Sequence, residues 1–272
     1  MTSSSRLPDR LLIVAGTYDG VICGFDSQPR KSTNNDDTND NDVMSLLNKA
    51  KREKDEEESF LKMSFAMAVH DGSVRCVSVA STSNDQHNDD SSQKKKNKKK
   101  RDPEEEEEEE EVVPGLLFTG GYDDTMAIFN LKKYQQAGEL KSPADLGSPT
   151  CSAFAPPTSP AYVLMGTTSG KIVLYKKRDW SIQHILPGHI GGVACIAVHP
   201  SGKMALSGGT KDGKLMLWDL MRGRLAFAHK SSSGKTTVQD IIWSADGNRY
   251  AFCTNDGKIT ARNVHNSEED LL

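Results

Sequence analysis

Long apolar runs are missing from this chain. Those present, such as Leu11 to Ala15 and Val193 to Val198, fall far short of the roughly 18 residues that a membrane-spanning helix needs. The N-terminal MTSSSRLPDR has no apolar core of the kind that drives secretion. Five cysteines occur without paired spacing, so no disulfide framework can be read and a reducing compartment is expected. A soluble intracellular protein is the expectation. Strong charge of one sign is also missing. With a net charge of -4 and a pI of about 6.0 there is no global basic signature for nucleic acid. No glycine-rich loop looks built to cradle phosphate, since Gly120-Gly121 and Gly208-Gly209 read as turn glycines. Hydrophobic residues make up 36 %, below the usual figure of about 45–50 %. That deficit is uneven, because apolar stretches alternate with very polar insertions.

What is present is organised around Gly188 to Asp219, GHIGGVACIAVHPSGKMALSGGTKDGKLMLWD. Val193 to Val198 is too continuously apolar for a half-exposed strand and predicts an inner strand buried on both faces. His199-Pro200-Ser201-Gly202 breaks it, because proline lacks an amide donor and glycine admits positive φ. Met204 to Ser207 returns, Asp212-Gly213 makes a tight hairpin turn, and Leu215, Leu217 and Trp218 follow. A sheet this small cannot bury both faces, so it requires neighbours of its own kind.

Such neighbours are visible along the chain. Leu11 to Ala15, a turn at Gly16 to Gly20, and Val21 to Asp26 repeat the second half of the unit, with Phe25 in the place of Trp218. Phe60 to Val69 is strand-like. His70 precedes Val74 to Ala80 as His189 precedes Val193. Val113 to Thr119, Gly120 to Asp124 and Met126 to Asn130 continue. Thr150 to Ala155, Tyr162 to Met165 and Ile172 to Tyr175 form a further unit, with Trp180 to Leu186 linking onward. Val238 to Trp243, Tyr250 to Cys253 and Ile259 to Val264 form the last. The second turns align at Asp19, Asp123, Ser169, Asp212 and Asp256. The last three steps are 46, 43 and 44 residues, the period of four-stranded propeller blades, ~40–45. The first step is longer by one period and two polar insertions, 27–59 and 81–111. Both compositions favour disorder. They read as loops within one domain spanning 1–272.

Gly-His and Trp-Asp about thirty residues apart mark a WD40 repeat. The chain resembles a WD40 β-propeller, and more closely the p21-activated-kinase-interacting-protein-like WD-repeat family. The wording that carries this is LLIVAGTYDGVICGF near the N-terminus, HPSGKMALSGGTKDGKLMLWDLMRGRLAF at 199–227, and the following VQDIIWSADGNRYAF. The resemblance implies an all-β propeller of about seven blades, whereas strands for about five are present here. The first blade is expected to lack its inner strand and the last its outer one. The expected form is an open or incomplete five-blade arc from a C-terminally truncated chain. The alternative is a five-blade ring closed by Leu11–Ala15. The resemblance further implies a non-catalytic scaffold in maturation of the large ribosomal subunit, in the nucleus and nucleolus. Its other implication is an adaptor that binds and restrains a p21-activated kinase.

Several residues invite a chemical reading. His189, Ser207, Asp212 and Trp218 look catalytic on paper, but in WD40 repeats these types form a buried hydrogen-bonded tetrad, and that is the expectation here. Asp212 follows Ser207 by five residues while Asp123 follows Thr119 by four, so a one-residue bulge at Gly208–Lys211 or a loose tetrad is expected. Asp19, Asp123 and Asp256 are expected as structural turn residues. Because they belong to separate turns they do not pair as general acid and base. Cys76, Cys151 and Cys195 occupy matching inner-strand positions and read as small buried residues rather than metal ligands. Lys94, Lys95, Lys96, Lys98, Lys99, Lys100 and Arg101 form a basic run. It reads as a nuclear localisation signal or a ribosomal RNA contact, against the plain alternative of a solvated loop neutralised by Glu104–Glu111. No cofactor, metal or small-molecule substrate is expected. Pre-ribosomal assembly factors or a p21-activated kinase are the expected partners.

Overall fold

The computed structural model describes residues 11–27, 61–82, 113–230, 236–264 and 266–270. Most of the two polar insertions, with the basic run Lys94 to Arg101, lies outside the described residues. Within them the chain is all strand and turn, in five antiparallel sheets.

The first sheet has three strands, β1 (Leu12–Gly16), β2 (Val21–Ser27) and β3 (Leu61–Ala68). The second holds β4 (Val74–Thr82), β5 (Val113–Gly121), β6 (Thr125–Asn130) and β7 (Gln135–Lys141). The third holds β8 (Pro149–Ala155), β9 (Tyr162–Thr167), β10 (Lys171–Lys176) and β11 (Ile182–Pro187). The fourth holds β12 (Val193–Val198), β13 (Met204–Gly209), β14 (Lys214–Asp219) and β15 (Arg224–Lys230). The fifth holds β16 (Val238–Trp243), β17 (Arg249–Thr254), β18 (Ile259–Asn263) and β19 (Asn266–Asp270). Each sheet is a meander, with its strands neighbouring one another in chain order.

Four hydrophobic clusters hold the sheets together, one at each successive junction. Ile22, Phe65, Leu117 and Phe129 join the first sheet to the second, and Phe118, Ile128, Phe154 and Val163 join the second to the third. Leu164, Leu174, Val193 and Trp218 join the third to the fourth, and Leu206, Leu215, Val238 and Phe252 join the fourth to the fifth. The innermost strands stack in order, β4 on β8, β8 on β12 and β12 on β16. This is a propeller-like arc that is not closed. Leu11–Ala15 does not close a five-blade ring. β1 pairs with β2 on one side and lies against β4.

In four sheets the first strand carries one extra residue near its start. Register shifts fall at Val74/Cys76, Pro149/Cys151, Val193/Cys195 and Val238/Asp240. A bulge bends and twists the strand that carries it, which lets the inner strands converge.

Two expectations need correction, and one strand was not foreseen. The fifth sheet does have an outer strand, β19, paired to β18 through Arg262 with Asp270 and Asn263 with Asn266. Its sequence, NSEED, carries no apolar residue, so no periodicity betrays it. β7, QQAGELK, was not anticipated either: with only Ala137 and Leu140 apolar it shows no alternation, and it is mostly exposed at the outer edge of its sheet. Finally, no bulge lies at Gly208–Lys211. Ser207 pairs with Met216 and Gly208 with Leu215 in unbroken register, and the extra residue sits in the turn 210–213.

Candidate functional site

Strand register explains why the fourth sheet alone has a complete polar chain. Trp218 on β14 lies opposite Ala205, and Ser207 on β13 stands two residues further along. Pairing equivalent strands puts Phe129 and Tyr175 where Trp218 is, and Thr119 and Met165 where Ser207 is. Phenylalanine cannot donate a hydrogen bond and methionine offers only a weak acceptor, so the second and third sheets cannot repeat the set.

In the fourth sheet the Trp218 indole Nε1–H donates to Ser207 Oγ at 2.7 Å. Ser207 Oγ lies 2.7 Å from His189 Nε2, and His189 Nδ1 lies 3.0 Å from Asp212 Oδ2. Asp212 accepts only, so Nδ1–H donates to it, Nε2 is left as acceptor, and the serine hydroxyl donates to Nε2. Proton donation therefore runs one way, from indole to hydroxyl to imidazole to carboxylate. Asp212 also accepts the backbone N–H of Ile190 at 3.1 Å and of Lys214 at 3.1 Å, so it ties the strand-linking loop to the hairpin turn. The second sheet keeps part of this. His70 Nε2 is 3.0 Å from Thr119 Oγ1 and His70 Nδ1 is 3.2 Å from Asp123 Oδ1. Asp123 accepts from the Asp71 backbone N–H at 2.9 Å. The other two turn aspartates lie elsewhere. Asp256 accepts from the Thr254 hydroxyl in an exposed turn, and Asp19 is exposed at the turn of the first sheet.

These groups have the types of a hydrolytic triad but not the access. Ser207 is 0 % exposed, and its oxygen is already engaged by both an imidazole and an indole. Desolvation pushes the His189 imidazole below its ordinary value, against the pull of the Asp212 carboxylate. Burial also pulls the Asp212 carboxyl up. The backbone N–H groups of Lys214 and Ile190, with His189, outweigh it and leave the carboxyl below its usual range. The sign for stability follows. A histidine held neutral in the fold contributes in full above its ordinary value of 6.5, and that contribution is lost as pH falls below it. Asp212 adds a second loss below its ordinary 3.8. Urea unfolding across this range should show stability falling from about pH 7 to 5, with a flatter profile in His189→Gln. An unchanged slope in that variant would mean other groups carry the acid sensitivity.

Cys76, Cys151 and Cys195 share one register position, paired with Gly120, Gly166 and Gly208. Burial pushes the Cys76 thiol up to about 11 and the Cys195 thiol up to about 12, and raises Cys151 as well. They are thiols rather than thiolates at neutral pH, and so poor nucleophiles. Cys151 Sγ and Cys195 Sγ instead face the carbonyl oxygens of Val193 and Val238 in the next sheet, each at 4.0 Å. Among the described residues no cluster of His, Cys, Asp and Glu could hold a metal ion.

The exposed counterpart of this buried chain is the face made by the β1–β2 turn, the turns between second and third strands of the other sheets, and the loops between sheets. Tyr18 is 86 % exposed, Tyr122 64 % and Ile190 65 %. The loop at Val69 to Val74 bonds to Thr17 and Gly20 on one side, and Ser73 accepts from the Tyr122 N–H on the other. The Arg75 guanidinium lies 5.3 Å from the Tyr122 ring centroid. Tyrosine and arginine standing free in solvent are the residues most often found as anchors of protein interfaces. Sequence reasoning passed over them, although GTYDG and GGYDD each place a tyrosine just before the turn aspartate.

Comparison with known proteins agrees with this architecture. The WD40 family, "WD domain, G-beta repeat", matches residues 180–219. A Danio rerio protein named p21-activated protein kinase-interacting protein 1-like is 33 % identical over 138 residues, which is 51 % of this chain and 35 % of that protein. A Schizosaccharomyces pombe protein named Shk1 kinase-binding protein 15 is 34 % identical over 103 residues, 38 % of this chain and 29 % of that protein. Telomerase Cajal body protein 1 of Mus musculus is 32 % identical over 132 residues, 46 % of this chain and 24 % of that protein. The chain thus spans about a third or less of the length of these relatives.

Proposed function

We propose that this chain is a non-catalytic WD-repeat scaffold that holds protein partners on the face carrying Tyr18, Tyr122, Arg75 and Ile190. The observation behind the non-catalytic part is the burial of Ser207, whose hydroxyl no substrate reaches. The partner that the relatives favour is a protein kinase of the p21-activated class. The fish protein is named for interacting with such a kinase, and the fission-yeast protein for binding a kinase. The test is co-purification of the full chain with a p21-activated kinase, repeated with Tyr18→Ala/Tyr122→Ala. Capture by the wild type and loss in the variant supports the reading. Equal capture by both moves the contact off this face, and no capture by either removes the kinase.

A second reading has its own support in the wording at 199–227, where the chain resembles family members implied in ribosome assembly. In it the scaffold serves maturation of the large subunit in the nucleus and nucleolus, with pre-ribosomal assembly factors as partners. Depletion should then cause large-subunit precursor RNA to accumulate, and normal processing would count against it. Lys94, Lys95, Lys96, Lys98, Lys99, Lys100 and Arg101 would act there as the nuclear import signal. Glutamine at all seven positions should leave a fluorescent fusion outside the nucleus.

A further inference from the structure

At the opposite ends of the sheets lie the turns between third and fourth strands, and three of these have one backbone form. In 130–134, 176–180 and 219–223 the last residue takes positive φ: Tyr134 at 50°, Trp180 at 58° and Gly223 at 62°. The second residue of each donates its N–H to a carbonyl near the start of the second strand of its own sheet, Leu131 to Gly115, Lys177 to Ala161 and Leu220 to Lys203. Asn130 Oδ1 accepts from the N–H of Lys132 and Lys133, and Asp219 Oδ1 from those of Met221 and Arg222. Each turn is thereby fixed to its own sheet in the same way.

These turns read LKKY, KRDW and LMRGR, and their charge is concentrated. Lys132 and Lys133 stand on the first, Lys177 and Arg178 on the second, and Arg222 and Arg224 on the third. All but Lys177, which is half-buried, are exposed. The three turns lie at the same end of successive sheets, and each packs toward the sheet before it. The Tyr134 ring packs 5.4 Å from Phe65 in the first sheet, and Trp180 packs into the cluster between second and third sheets. Gly223 sits so close to His184 of β11 that a side chain there would meet the imidazole at 2.5 Å. Two acids lie among the cations, Asp179 at 3.4 Å from Arg178 and Asp219 at 3.2 Å from Arg222. Exposed pairs of this kind bind weakly and yield to a polyanion. The other end of the sheets has acidic turns, with Asp19, Asp123, Asp124, Asp212 and Asp256. Among the described residues the turns are thus acidic at one end of the sheets and basic at the other.

We propose that the rim of Lys132, Lys133, Lys177, Arg178, Arg222 and Arg224 is a binding track for the phosphate backbone of RNA. A linear polyanion is the ligand that meets cations spread over three sheets. An acidic protein would need an apolar anchor seated in a pocket as well. Tyr134, next to Lys133 in the chain, is 39 % exposed, and the part of its ring not packed on Phe65 is where a base can stack. Contacts of this class are blind to sequence and strongly salt-dependent. The track lies at the other end of the sheets from Tyr18 and Tyr122, so a protein partner and RNA bind together. Nothing in it depends on the kinase or ribosome readings above.

The test measures binding of a labelled oligouridine to the full chain over a series of salt concentrations. The variant is Lys133→Gln/Lys177→Gln/Arg178→Gln/Arg222→Gln. Four lost phosphate contacts should weaken binding by roughly tenfold or more at low salt and flatten the log–log salt slope by about 3 units, ~0.7 per contact on a single strand. Lys171→Gln/Lys211→Gln/Lys258→Gln at the acidic end should change neither. Lys133→Gln and Arg222→Gln alone should each flatten the slope by about 0.7, which guards against a misfolded quadruple variant. The proposal is overturned if the rim variant keeps the wild-type slope. It is overturned if glutamine at Lys94 to Arg101 alone abolishes binding. It is also overturned if polyglutamate competes as well as RNA, which would make the rim a surface for acidic protein.

Discussion

Trp218→Ala should lower the free energy of unfolding by about 3–5 kcal/mol, the range for emptying a buried aromatic site. The indole is almost wholly buried in the cluster that joins the third and fourth sheets, with Leu164, Leu174, Val198 and Met216. Removing it opens a cavity at a junction rather than inside one sheet, so two sheets lose their common filling. Its hydrogen bond is a separate quantity. Trp218→Phe keeps most of the packing and withdraws only the donor to Ser207, for a loss of about 1 kcal/mol. Ser207→Ala should cost more, about 2–6 kcal/mol, because it strands both the indole N–H and His189 Nε2 at about 1–3 kcal/mol each. The two substitutions share one hydrogen bond, so their double variant should fall short of the sum by about 0.5–3 kcal/mol. Urea midpoints for the four proteins decide this. Strict additivity would mean that the indole and the hydroxyl act independently, and the one-way polar chain would then be only a geometric coincidence.

Much of this chain could be anticipated from its residues because turns and buried strands carry loud signals. Asp212-Gly213 and Asp256-Gly257 fix hairpins, and Val193 to Val198 can only be an inner strand. The quiet parts are the outer strands with few or no apolar residues. β7 and β19 are built from QQAGELK and NSEED, and what makes them strands is the edge of β6 and β18 beside them, with backbone groups waiting for partners. The extra residue between Ser207 and Asp212 was visible in the spacing, but its place was not. A turn takes an added residue without disturbing the ladder, whereas a bulge at 208–211 would have rotated Gly208 away from the next sheet. The exposed tyrosines were hidden for another reason: one sequence gives no contrast between an exposed side chain that binds and one that does not.

That close approach at glycine sets up the second large effect. Gly16 on β1, and Gly120, Gly166 and Gly208 on the second strands of the next three sheets, hold the same register. A side chain added at any of them meets the first strand of the next sheet. At Gly166 a Cβ would lie 2.5 Å from Cys151 Sγ and 2.8 Å from Val193 Cβ, and at Gly208 2.7 Å from Val238 Cβ. Positive φ is not the reason for glycine here, since these residues are extended; space between sheets is. A colliding Cβ cannot rotate away, because it is fixed to its own backbone, so the whole neighbouring sheet must retreat. Gly166→Val and Gly208→Val should therefore cost at least the ~1–3 kcal/mol of ordinary overpacking, with the upper end expected because a junction of two sheets is prised open. Cys253 provides the internal control. It occupies the matching register of the fifth sheet, opposite Ile259, where none of the described sheets follows. Cys253→Val should change stability by no more than ~0.5 kcal/mol. Removing the thiol beside the collision, in Gly166→Ala/Cys151→Ala, should recover only part of the Gly166→Ala loss, because Val193 Cβ remains in the way. Full recovery in that double variant would show that the cysteine, and not the spacing of the sheets, requires glycine at this position.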